Sequence, residues 1–513
     1  MGPVGRVDLS HRHAETGRHI DLLRLVCRLS PDVRVVYHAE HSYLVRDQPL
    51  RVFRLKRAAL PLVERCASGC TLADVVTSAR SLSEETSVAI VDRLVAAGFA
   101  TLTGPSLDDS PPRVSVVIPV RNRPEAISRC LMSLTKLQYP ADRIEIIVVD
   151  DASSDTTPEV VRQLIAEMSV KFVRIPAHKG QAHCRNVGAQ RAEGEILAFI
   201  DSDCLADPRW LVDLVPEFAD PRVAAVGGAV GAITDRHWLQ RYEAVRSPLY
   251  QGTQPAVVRP RTSVSYVPAC NLLVRRREFL EAGGFVIDRG EEVDLIWRLC
   301  EQGLAVHYLP TGRVLHDHRY QIGNFVTRRM FYAGSEPILL RRHPKNRRHL
   351  TVPVGLTIGI VWFILAATRG YWLLSGLIVF PVLVQFALAW RWARRTGIPI
   401  GTISLCLAIL NRDLSALYLG AATISRYYAI PLVVVGLLLG LAWSPARWLV
   451  VLVVMSLCLT AAVDWWRLRP RLGPILFIAG HALDTVAYHV GILAACVRRG
   501  TLRPLLMDVG LVA

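Results

Sequence analysis

The pattern of hydrophobic and polar positions divides the chain into three regions. Residues 22–104 combine short apolar strands such as Val33–Tyr37 with stretches of helical spacing. In residues 113–335, fully apolar runs such as Val114–Val120 alternate with amphipathic stretches. After residue 336 the apolar runs become long and carry little charge. The chain is therefore predicted to hold a small α+β module, an α/β domain and a membrane region at 336–513.

The alternation in residues 113–335 specifies the architecture of the central domain. Strands that alternate with helices along the chain form a mostly parallel, doubly wound sheet with helices on its faces. Ligands of such folds bind at the carboxyl ends of the strands. The functional residues of the central domain are therefore expected directly after its apolar runs.

Two segments beside the α+β module are predicted to lack regular structure. Residues 1–21 are polar and have no apolar stretch like that of a signal peptide, so they are expected to form a disordered arm. Residues 105–112 consist largely of Pro, Ser and Asp, which interrupt helices and strands, and they are expected to form a linker. The module between them, at 22–104, is expected to be winged-helix-like.

The membrane region is predicted to contain two helical hairpins, at 352–390 and 429–463, because most of their apolar runs approach the length that crosses a bilayer. Residues 402–425 and 475–497 are also apolar, but they contain charged residues or histidines that are costly inside lipid. These stretches are expected to be amphipathic helices at the membrane surface. Four spans would keep the arginine clusters and the central domain on the cytoplasmic side, whereas a six-span arrangement is the alternative.

The composition supports association with a membrane. The chain has a net charge of +16, and much of its arginine flanks the apolar runs. This excess suits anionic lipid headgroups or phosphate-bearing substrates. No cluster of basic and aromatic residues stands out in 22–104, so no nucleic-acid partner is expected. The 11 cysteines include no CxxC pair, which favours reduced thiols over structural zinc.

Polar residues accompany the ends of the first two apolar runs of the central domain. The segment VIPVRNRPE supplies Pro119, Arg121 and Asn122, and VVDDASSDTT supplies Asp150 and Asp151. Carboxylates at a strand end can accept hydrogen bonds from a base and a ribose, so this group is predicted to bind the nucleotide of a nucleotide sugar. Alternatively, the polar residues that follow the second run only cap the next helix.

A third polar segment, KGQAHCRNVGAQ, contains a turn at Gly180 and then a predicted helix with Arg185 and Asn186 near its start. Together with Lys179, these residues are predicted to bind the nucleotide sugar, because a guanidinium group pairs well with phosphate oxygens. The alternative is that Arg185 is an ordinary solvated helix residue.

The apolar run ILAFI ends abruptly in Asp201, Ser202 and Asp203. Side chains alternate along an extended chain, so both aspartates point the same way and can bind a divalent cation. Hard oxygen ligands favour Mg²⁺ or Mn²⁺, which would neutralise a departing diphosphate. In VLHDHRY, His316 and His318 occupy alternate positions, so one of them could complete the metal site. The structural alternatives are paired surface acids and structural histidines.

The segment GEEVDLIWRL opens a predicted helix with a cluster of acids. One carboxylate is expected to act as general base on an attacking hydroxyl, with Glu292 as the candidate and Glu291 and Asp294 as rivals. Acids in the first turn also stabilise any helix through its dipole, which is the structural alternative. Other residues are predicted to line the acceptor side of the site: Asn271, Trp297 and Arg298.

Taken in this order, the motifs of the central domain resemble those of family 2 glycosyltransferases of the GT-A fold. The resemblance implies an inverting transfer from a nucleotide sugar, with Asp201 and Asp203 as the metal-binding aspartates. It also implies that Asp150 and Asp151 bind the nucleotide and that Arg185 lies on the side of the diphosphate.

At the catalytic base this chain departs from the family. The acidic pair of the family is usually Glu-Asp, whereas this chain has Glu291 and Glu292. The additional methylene moves the carboxylate, and small displacements of a reacting group matter in catalysis. Either Glu292 reaches the site by a different rotamer, or Asp294 substitutes for it.

The N-terminal module, with VRVVYHAEHSYLVRD and VDRLVAAGFATL, is similar to PqqD-like peptide-recognition domains. Such a module joined to a family 2 transferase and membrane hairpins resembles the glycosyltransferases of mycofactocin systems. The resemblance implies that β-1,4-linked glucose, from UDP-glucose, is added to the peptide-derived redox cofactor mycofactocin. The expected partners are a nucleotide-sugar donor, a peptide-derived acceptor and membrane lipids, and the expected cofactor is Mg²⁺ or Mn²⁺.

Two other functions fit the same sequence. In the first, the same chemistry extends a lipid-linked or cell-envelope polysaccharide. In the second, the chain is a non-catalytic, peptide-binding membrane scaffold. The complete set of Asp150, Asp151, Arg185, Asp201 and Asp203 argues against a scaffold, because binding a peptide at a membrane does not require it.

Overall fold

The computed structural model describes residues 25–37, 41–47, 50–103, 111–165, 169–347, 349–353, 357–358, 362, 379–396, 402–443 and 446–512. The predicted arm, most of the predicted linker and most of the first predicted hairpin lie outside these ranges. The described residues form two compact units. One unit comprises residues 103–347 and 461–504, and the other comprises residues 23–102, 348–460 and 505–513.

The N-terminal part of the second unit is a small α+β structure. Its strands are β1 (Val26–Leu29), β2 (Val33–Tyr37), β3 (His41–Asp47), β4 (Leu50–Lys56), β5 (Cys70–Thr71) and β6 (Ala100–Thr103). Its helices are α1 (Leu60–Ala67), α2 (Leu72–Ser78) and α3 (Glu84–Ala96). Ser83 caps α3 by accepting a hydrogen bond from the Thr86 amide at 3.2 Å. The strands form two sheets, ordered β5-β1-β6 and β2-β3-β4, around a core that includes Leu44, Leu62 and Phe99.

The first unit is built on an eight-stranded mixed sheet. The strands of this sheet are β7 (Val114–Val120), β8 (Ile144–Asp150), β9 (Val170–Arg174), β10 (Ile196–Phe199), β12 (Val223–Gly227), β14 (Ala256–Val257), β15 (Leu272–Arg275) and β16 (Ala305–Tyr308). The same unit also contains β11 (Cys204–Ala206), β13 (Val230–Ala232) and β17 (Val314–His316). The order is β14-β16-β12-β15-β10-β7-β8-β9. The strands from β10 to β9 pair in parallel, as the alternating pattern predicted, whereas β15 is antiparallel to both of its neighbours.

Helices pack on both faces of this sheet. They are α4 (Pro124–Leu134), α5 (Thr157–Ile165), α6 (Gln181–Arg191), α7 (Trp210–Leu214), α9 (Arg276–Glu281) and α10 (Glu291–Glu301). The same unit contains α8 (Trp238–Arg246), α11 (Ile322–Ala333) and α12 (Glu336–Arg342). Along β7, Val116 and Ile118 belong to one hydrophobic core and Val117 belongs to the other. This alternation explains why the predicted strands are apolar throughout, since each of their faces is buried.

Three strands that follow β10 in the chain form a small second sheet, ordered β11-β17-β13. In the antiparallel pairing of β11 with β17, Cys204 is opposite His316. In addition, the Asp317 amide donates a hydrogen bond to the Asp203 carbonyl at 3.1 Å. The small sheet therefore brings the histidine segment beside the aspartates that follow β10, although more than a hundred residues separate them.

The C-terminal third is mainly helical. It contains β18 (His349–Pro353), α13 (Val379–Thr396), α14 (Thr402–Ala442), α15 (Arg447–Leu468), α16 (Pro474–Arg499) and β19 (Asp508–Val512). By length and composition, three of the described helices are able to cross a membrane: residues Ile403–Ala442, Arg447–Leu468 and Pro474–Arg499. These helices are the candidate membrane anchors of the chain.

The helices of this region differ from the predicted ones in two ways. The predicted break between an amphipathic helix at 402–425 and a hairpin from 429 is absent, because α14 is continuous and contains Pro431. A proline is tolerated in an apolar helix when nearby groups satisfy the freed backbone. The second difference concerns residues 336–347 and α16, which belong to the compact unit of the central domain instead of a separate membrane region.

Candidate active site

The acids that follow β8 are buried and hold two loops in place. Asp150 accepts hydrogen bonds from the Ser153 amide, at 3.3 Å, and forms an ion pair with Arg174 at 3.2 Å. Asp151 accepts hydrogen bonds from the amides of Lys179, at 2.7 Å, and Gly180, at 3.0 Å. Gly180 has a φ of +91°, which favours glycine, so Asp151 fixes the turn that leads into α6.

The loop after β7 is joined to the loop after β8. Asn122 has a φ of +51°, and its amide donates a hydrogen bond to the Ser153 hydroxyl at 2.9 Å. The side-chain oxygen of Asn122 accepts a hydrogen bond from the Ser154 amide at 2.8 Å. Pro119 is buried within β7, whereas Arg121 and the Lys179 side chain are exposed. Of these predicted nucleotide-binding residues, Arg121 and Lys179 are the ones with side chains open to a ligand.

Arg185 is the central cation of the site. Only 2% of its side chain is exposed, and its two terminal nitrogens bind different acids. One lies 2.6 Å from Asp201 after β10, and the other lies 2.9 Å from Glu291 at the start of α10. The guanidinium also lies 5.7 Å from the ring centre of Phe285. The alternative that Arg185 is a solvated helix residue is therefore wrong, since it joins the two acidic motifs.

Asp203 lies between an arginine and a histidine. Arg123 forms an ion pair with it, and His316 Nε2 lies 3.7 Å from its carboxylate. Burial would raise the pKa of Asp203, but His316 and Arg123 outweigh burial and lower it. Ser202, between the two aspartates, is buried. Asp203 therefore favours its ionised form, whereas Asp201 is held in position by Arg185.

The donor groups around Asp203 suit a divalent cation. Within the described residues, Asp203, Cys204 and His316 bring ligand atoms within 4.8 Å of one another, and His316 Nδ1 is buried without a hydrogen-bond partner. Burial and a hydrogen bond with Cys270 raise the pKa of Cys204 well above its usual value, so this thiol stays protonated. Carboxylate oxygen and imidazole nitrogen therefore remain as donors, which suits Mn²⁺.

His318 has a different environment from His316. It is almost fully buried, and its Nδ1 lies 3.9 Å from Glu243. Burial, and then the neighbouring His316, lower the pKa of His318 to about 3. Of the two predicted metal histidines, His316 lies beside Asp203. His318 packs against the ring of His316, with the two ring centres 5.2 Å apart.

The acids that open α10 have opposite environments. Glu292 is partly buried, and burial followed by the adjacent Glu291 raises its pKa to about 8. Asp294 is fully buried and lies 2.8 Å from Arg298, 2.6 Å from Arg342 and 3.1 Å from His343. Burial would raise the pKa of Asp294, but His343 and the two arginines lower it to about 2.

The residues predicted on the acceptor side use their side chains for hydrogen bonds within the protein. Asn271 is fully buried and accepts a hydrogen bond from Trp210 at 2.8 Å, and its amide donates to two backbone carbonyls. Trp297 donates to the Ser265 carbonyl at 2.9 Å. Arg298 donates to backbone carbonyls before α10 as well as to Asp294. The structure does not bring these side chains to the aspartates after β10.

Asn186 has a similar structural role. Its amide donates to the Phe285 carbonyl at 2.7 Å and accepts from the Phe285 amide at 2.9 Å. These two bonds fix the loop that precedes the left-handed Gly290, after which α10 begins. Asn186 therefore positions the acids of α10 and has its amide fully engaged by the protein backbone.

Two arginines near the acidic residues, Arg123 and Arg328, were not among the site residues predicted from the sequence motifs. Arg328, on α11, is mostly enclosed, and its guanidinium lies 4.7 Å from the ring centre of Tyr332. Burial would lower the pKa of Arg328, but Tyr332, Asp201 and Glu292 raise it on balance. Arg328 belongs to a pattern of ordinary helical spacing, so only the tertiary fold reveals that it lies near both acidic motifs.

A known protein family matches the central domain of this chain. The family model described as glycosyl transferase family 2 matches residues 115–281. The pre-mycofactocin glycosyltransferase of Mycobacterium tuberculosis is 31% identical over 491 residues, which cover 92% of this chain and 96% of that protein. The validoxylamine A glucosyltransferase of Streptomyces hygroscopicus is 27% identical over 226 residues, or 38% of this chain and 53% of that protein.

Among solved structures, the chain is similar to the mannosyltransferase PcManGT from Pyrobaculum calidifontis, solved with GDP-Man and Mn²⁺. The TM-score is 0.36 at 20% sequence identity, and the match covers 60% of this chain and 90% of that one. The similarity to the Mycobacterium tuberculosis protein, in contrast, extends over nearly the whole length of both chains.

Proposed function

The chain belongs to glycosyltransferase family 2, and from this premise we propose that it transfers a hexose, glucose from UDP-glucose, to the peptide-derived redox cofactor mycofactocin. The transfer inverts the anomeric carbon and builds a β-1,4-linked chain. The acceptor is suggested by the name of the relative that matches over nearly its full length. The GT-A fold of the central domain supplies the donor site.

The observation that carries this proposal is the bridge made by Arg185. Its ion pairs with Asp201 and Glu291 hold the acids after β10 and the acids that open α10 at one site. A transfer between a diphosphate leaving group and a hydroxyl acceptor needs a cation-binding centre and a proton acceptor in proximity. Because Arg185 pairs with both acidic motifs, it keeps them in the proximity that this transfer requires.

On the donor side, the chain supplies shape and charge. The loops fixed by Asn122, Asp150 and Asp151 form the nucleotide pocket, with the exposed Arg121 and Lys179 at its edge. Arg328, which interacts with Asp201, places positive charge where a departing diphosphate needs it. These residues bind and orient the donor without changing their own covalent bonds.

A divalent cation fits this site through Asp203 and His316, with Asp201 beside them. When bound, Mg²⁺ or Mn²⁺ neutralises negative charge on the leaving diphosphate. Asp201 is fixed by Arg185, and Asp203 is held by Arg123. The two arginines hold the carboxylates in position, and the lowered pKa of Asp203 favours the ionised form that binds a cation.

On the acceptor side, Glu292 removes the proton of the attacking hydroxyl. Its pKa of about 8 makes it a stronger proton acceptor than an ordinary glutamate. Asp294 is not suited to this role, because its carboxylate is occupied by Arg298, Arg342 and His343. Asp294 instead joins α10 to Arg342 and His343 and thereby stabilises the fold.

The remaining regions bind the acceptor and attach the chain to the membrane. We propose that the α+β module at 22–104 recognises the peptide-derived acceptor, and that the apolar helices Ile403–Ala442 and Arg447–Leu468 attach the chain to the membrane with the central domain in the cytoplasm. The same helices favour a second function, extension of a lipid-linked or cell-envelope polysaccharide. The two functions differ in the acceptor and share the donor chemistry.

The test is a transfer assay with the full chain in detergent. Each of several nucleotide sugars is incubated with Mn²⁺ or Mg²⁺, with pre-mycofactocin, with a lipid-linked glycan or without an acceptor. Nucleotide diphosphate release and the mass of the product are measured. We expect release that depends on pre-mycofactocin and a product heavier by hexose units.

Asp203→Asn and Asp220→Asn are the matched variants. Both remove one charge from an ion-paired aspartate of the same unit, but Asp220 pairs with Arg222 in the turn before β12. Only Asp203→Asn is expected to lose activity. Transfer to the lipid-linked glycan alone would replace the proposed acceptor, and no transfer with any pair would support the scaffold alternative.

A further inference from the structure

Helix α16 has a polar stripe that is buried against the central domain. The buried face includes the following residues at helical spacing: Phe477, His481, Asp484, Tyr488 and Ile492. The opposite face exposes Ile475, Val486, Val490 and Val497. An apolar helix that only crosses a bilayer has no use for a stripe of buried acid and histidine, which is costly in lipid. The stripe therefore indicates a dedicated protein contact.

The centre of this contact is an ion-pair network. Asp484 on α16 lies 3.0 Å from Arg329 on α11 and accepts a hydrogen bond from the Tyr242 hydroxyl at 3.1 Å. Arg329 also lies 3.1 Å from Glu243 on α8. Arg329 is 1% exposed and Asp484 is 4% exposed. Charges buried to this degree persist only when each is paired, so the network fixes the three helices relative to one another.

Two glycines of α16 allow the close approach. A Cβ at Gly491 would lie 2.6 Å from the Met330 Cα on α11, and one at Gly480 would lie 2.9 Å from the Tyr242 ring. Met330 follows Arg329 directly in the chain. Larger residues at either glycine would push α16 away, so packing and charge independently select the same arrangement of α16 on α11.

Arg329 is adjacent to Arg328, which lies on the side of the active site. Successive residues of a helix point about 100° apart, so neighbouring side chains face different surroundings. Arg329 faces α16, whereas the Phe331 ring of the same helix lies 4.4 Å from the guanidinium of Arg289, just before the start of α10. The charge of Arg328 also acts on Asp201 and Glu292. A rotation of α11 that breaks the first contact would also displace the second.

We propose that Arg329 and Asp484 are positioning residues of the transfer reaction, because their ion pair holds α11 on α16 and thereby keeps both Arg328 and the contact of α11 with the start of α10 in place. Helix α16 is thus a component of the catalytic unit, although its length and composition would allow it to cross a membrane. The kinetic part of this inference rests on the proposed function, and the structural coupling does not.

The test compares Asp484→Asn, which removes the charge, with Asp484→Glu, which keeps it. Tyr488→Phe is the matched control, since it removes a hydrogen bond of 2.6 Å between α16 and Glu336 on α12 and leaves the ion pair between Arg329 and Asp484 intact. In the full chain we expect Asp484→Asn to lower kcat by about tenfold with the donor KM within about twofold of wild type. Asp484→Glu should recover part of the loss, and Tyr488→Phe should match wild type.

Hydrogen exchange of residues 322–333 is the second measurement. It should accelerate in Asp484→Asn and remain unchanged in Tyr488→Phe. If Asp484→Asn does not fold, Tyr242→Phe, which removes only one hydrogen bond from Asp484, should show the same pattern at about two- to threefold in kcat.

Equal losses of kcat in Asp484→Asn and Tyr488→Phe would overturn the positioning role, because they would reflect docking of α16 in general. Unchanged exchange in residues 322–333 would overturn the coupling itself. If the wild-type chain transfers no sugar, the proposed function fails, whereas the exchange experiment still decides whether Asp484 controls α11.

Discussion

The acids after β10 and the acids that open α10 lie at one site but have different surroundings. Asp201 and Asp203 each form an ion pair with an arginine, and His316 and Arg123 lower the pKa of Asp203 against the effect of burial. Glu292 forms no ion pair within the described residues, and burial beside Glu291 raises its pKa to about 8. The comparison shows that environment, not residue type, assigns a carboxylate to binding a cation or to accepting a proton.

The largest effect is expected from the acids after β10. Asp203→Asn should lower kcat by about a thousandfold, because removing the charge weakens cation binding and stabilisation of the departing diphosphate. The rate should be measured at saturating donor over a range of Mn²⁺ concentrations. A variant with wild-type turnover and an unchanged need for metal would remove Asp203 from its proposed role.

A smaller but still large effect is expected at the start of α10. Glu292→Gln should slow the single-turnover rate by about a hundredfold, because the attacking hydroxyl loses its proton acceptor. Donor binding should remain within about threefold of wild type, since the substitution is isosteric. Glu291→Gln is the informative neighbour, because it breaks the ion pair with Arg185. A larger rate loss in Glu291→Gln than in Glu292→Gln would reverse the assignment.

The dependence on pH should separate the two acidic motifs. A base acts in its ionised form, so kcat/KM should fall about tenfold per pH unit as the pH drops below about 8, the pKa of Glu292. Glu292→Gln should lose this dependence. A wild-type profile that is flat between about pH 6 and pH 9 would show that no group with a raised pKa accepts the proton.

The smallest effect on the rate is expected at Asp294. Asp294→Asn should change kcat by less than about threefold, but it should destabilise the fold by about 3 kcal/mol, because Arg298, Arg342 and the buried His343 lose their shared partner. Thermal unfolding in detergent would measure this loss. The folded pKa of Asp294 is about 2 and its ordinary value is 3.8, so its stabilisation is present above about pH 4 and is lost as the pH falls towards 2. The difference in the free energy of unfolding between Asp294→Asn and wild type should therefore decrease as the pH falls from about 4 towards 2.

The sequence predicted the parts of the site that are local. Strand ends are visible as apolar runs that stop, so Asp150, Asp151, Asp201 and Asp203 could be identified from the pattern. The parallel strands from β7 to β10 were predictable for the same reason. Antiparallel β15 was not, because its direction depends on pairing with strands that are distant in the chain.

Roles that depend on tertiary contacts were beyond the sequence. The side chains of Asn271 and Arg298 are used for backbone contacts that no local spacing reveals. The same holds for Arg328, which lies on an ordinary amphipathic helix. The polar residues of α16 were visible as interruptions of an apolar run, but their partners on α11 and α8 lie far away in the chain.

The parallel pairing of β18 with β19 sets an order of events during synthesis. His349 is opposite Asp508, and Pro353 is opposite Val512, so the whole stretch from α13 to α16 lies between the two partners. The ribosome must complete that stretch before β18 can find its neighbour. Until then β18 presents an open edge, and a cotranslational chaperone or the insertion machinery would meet it in that state.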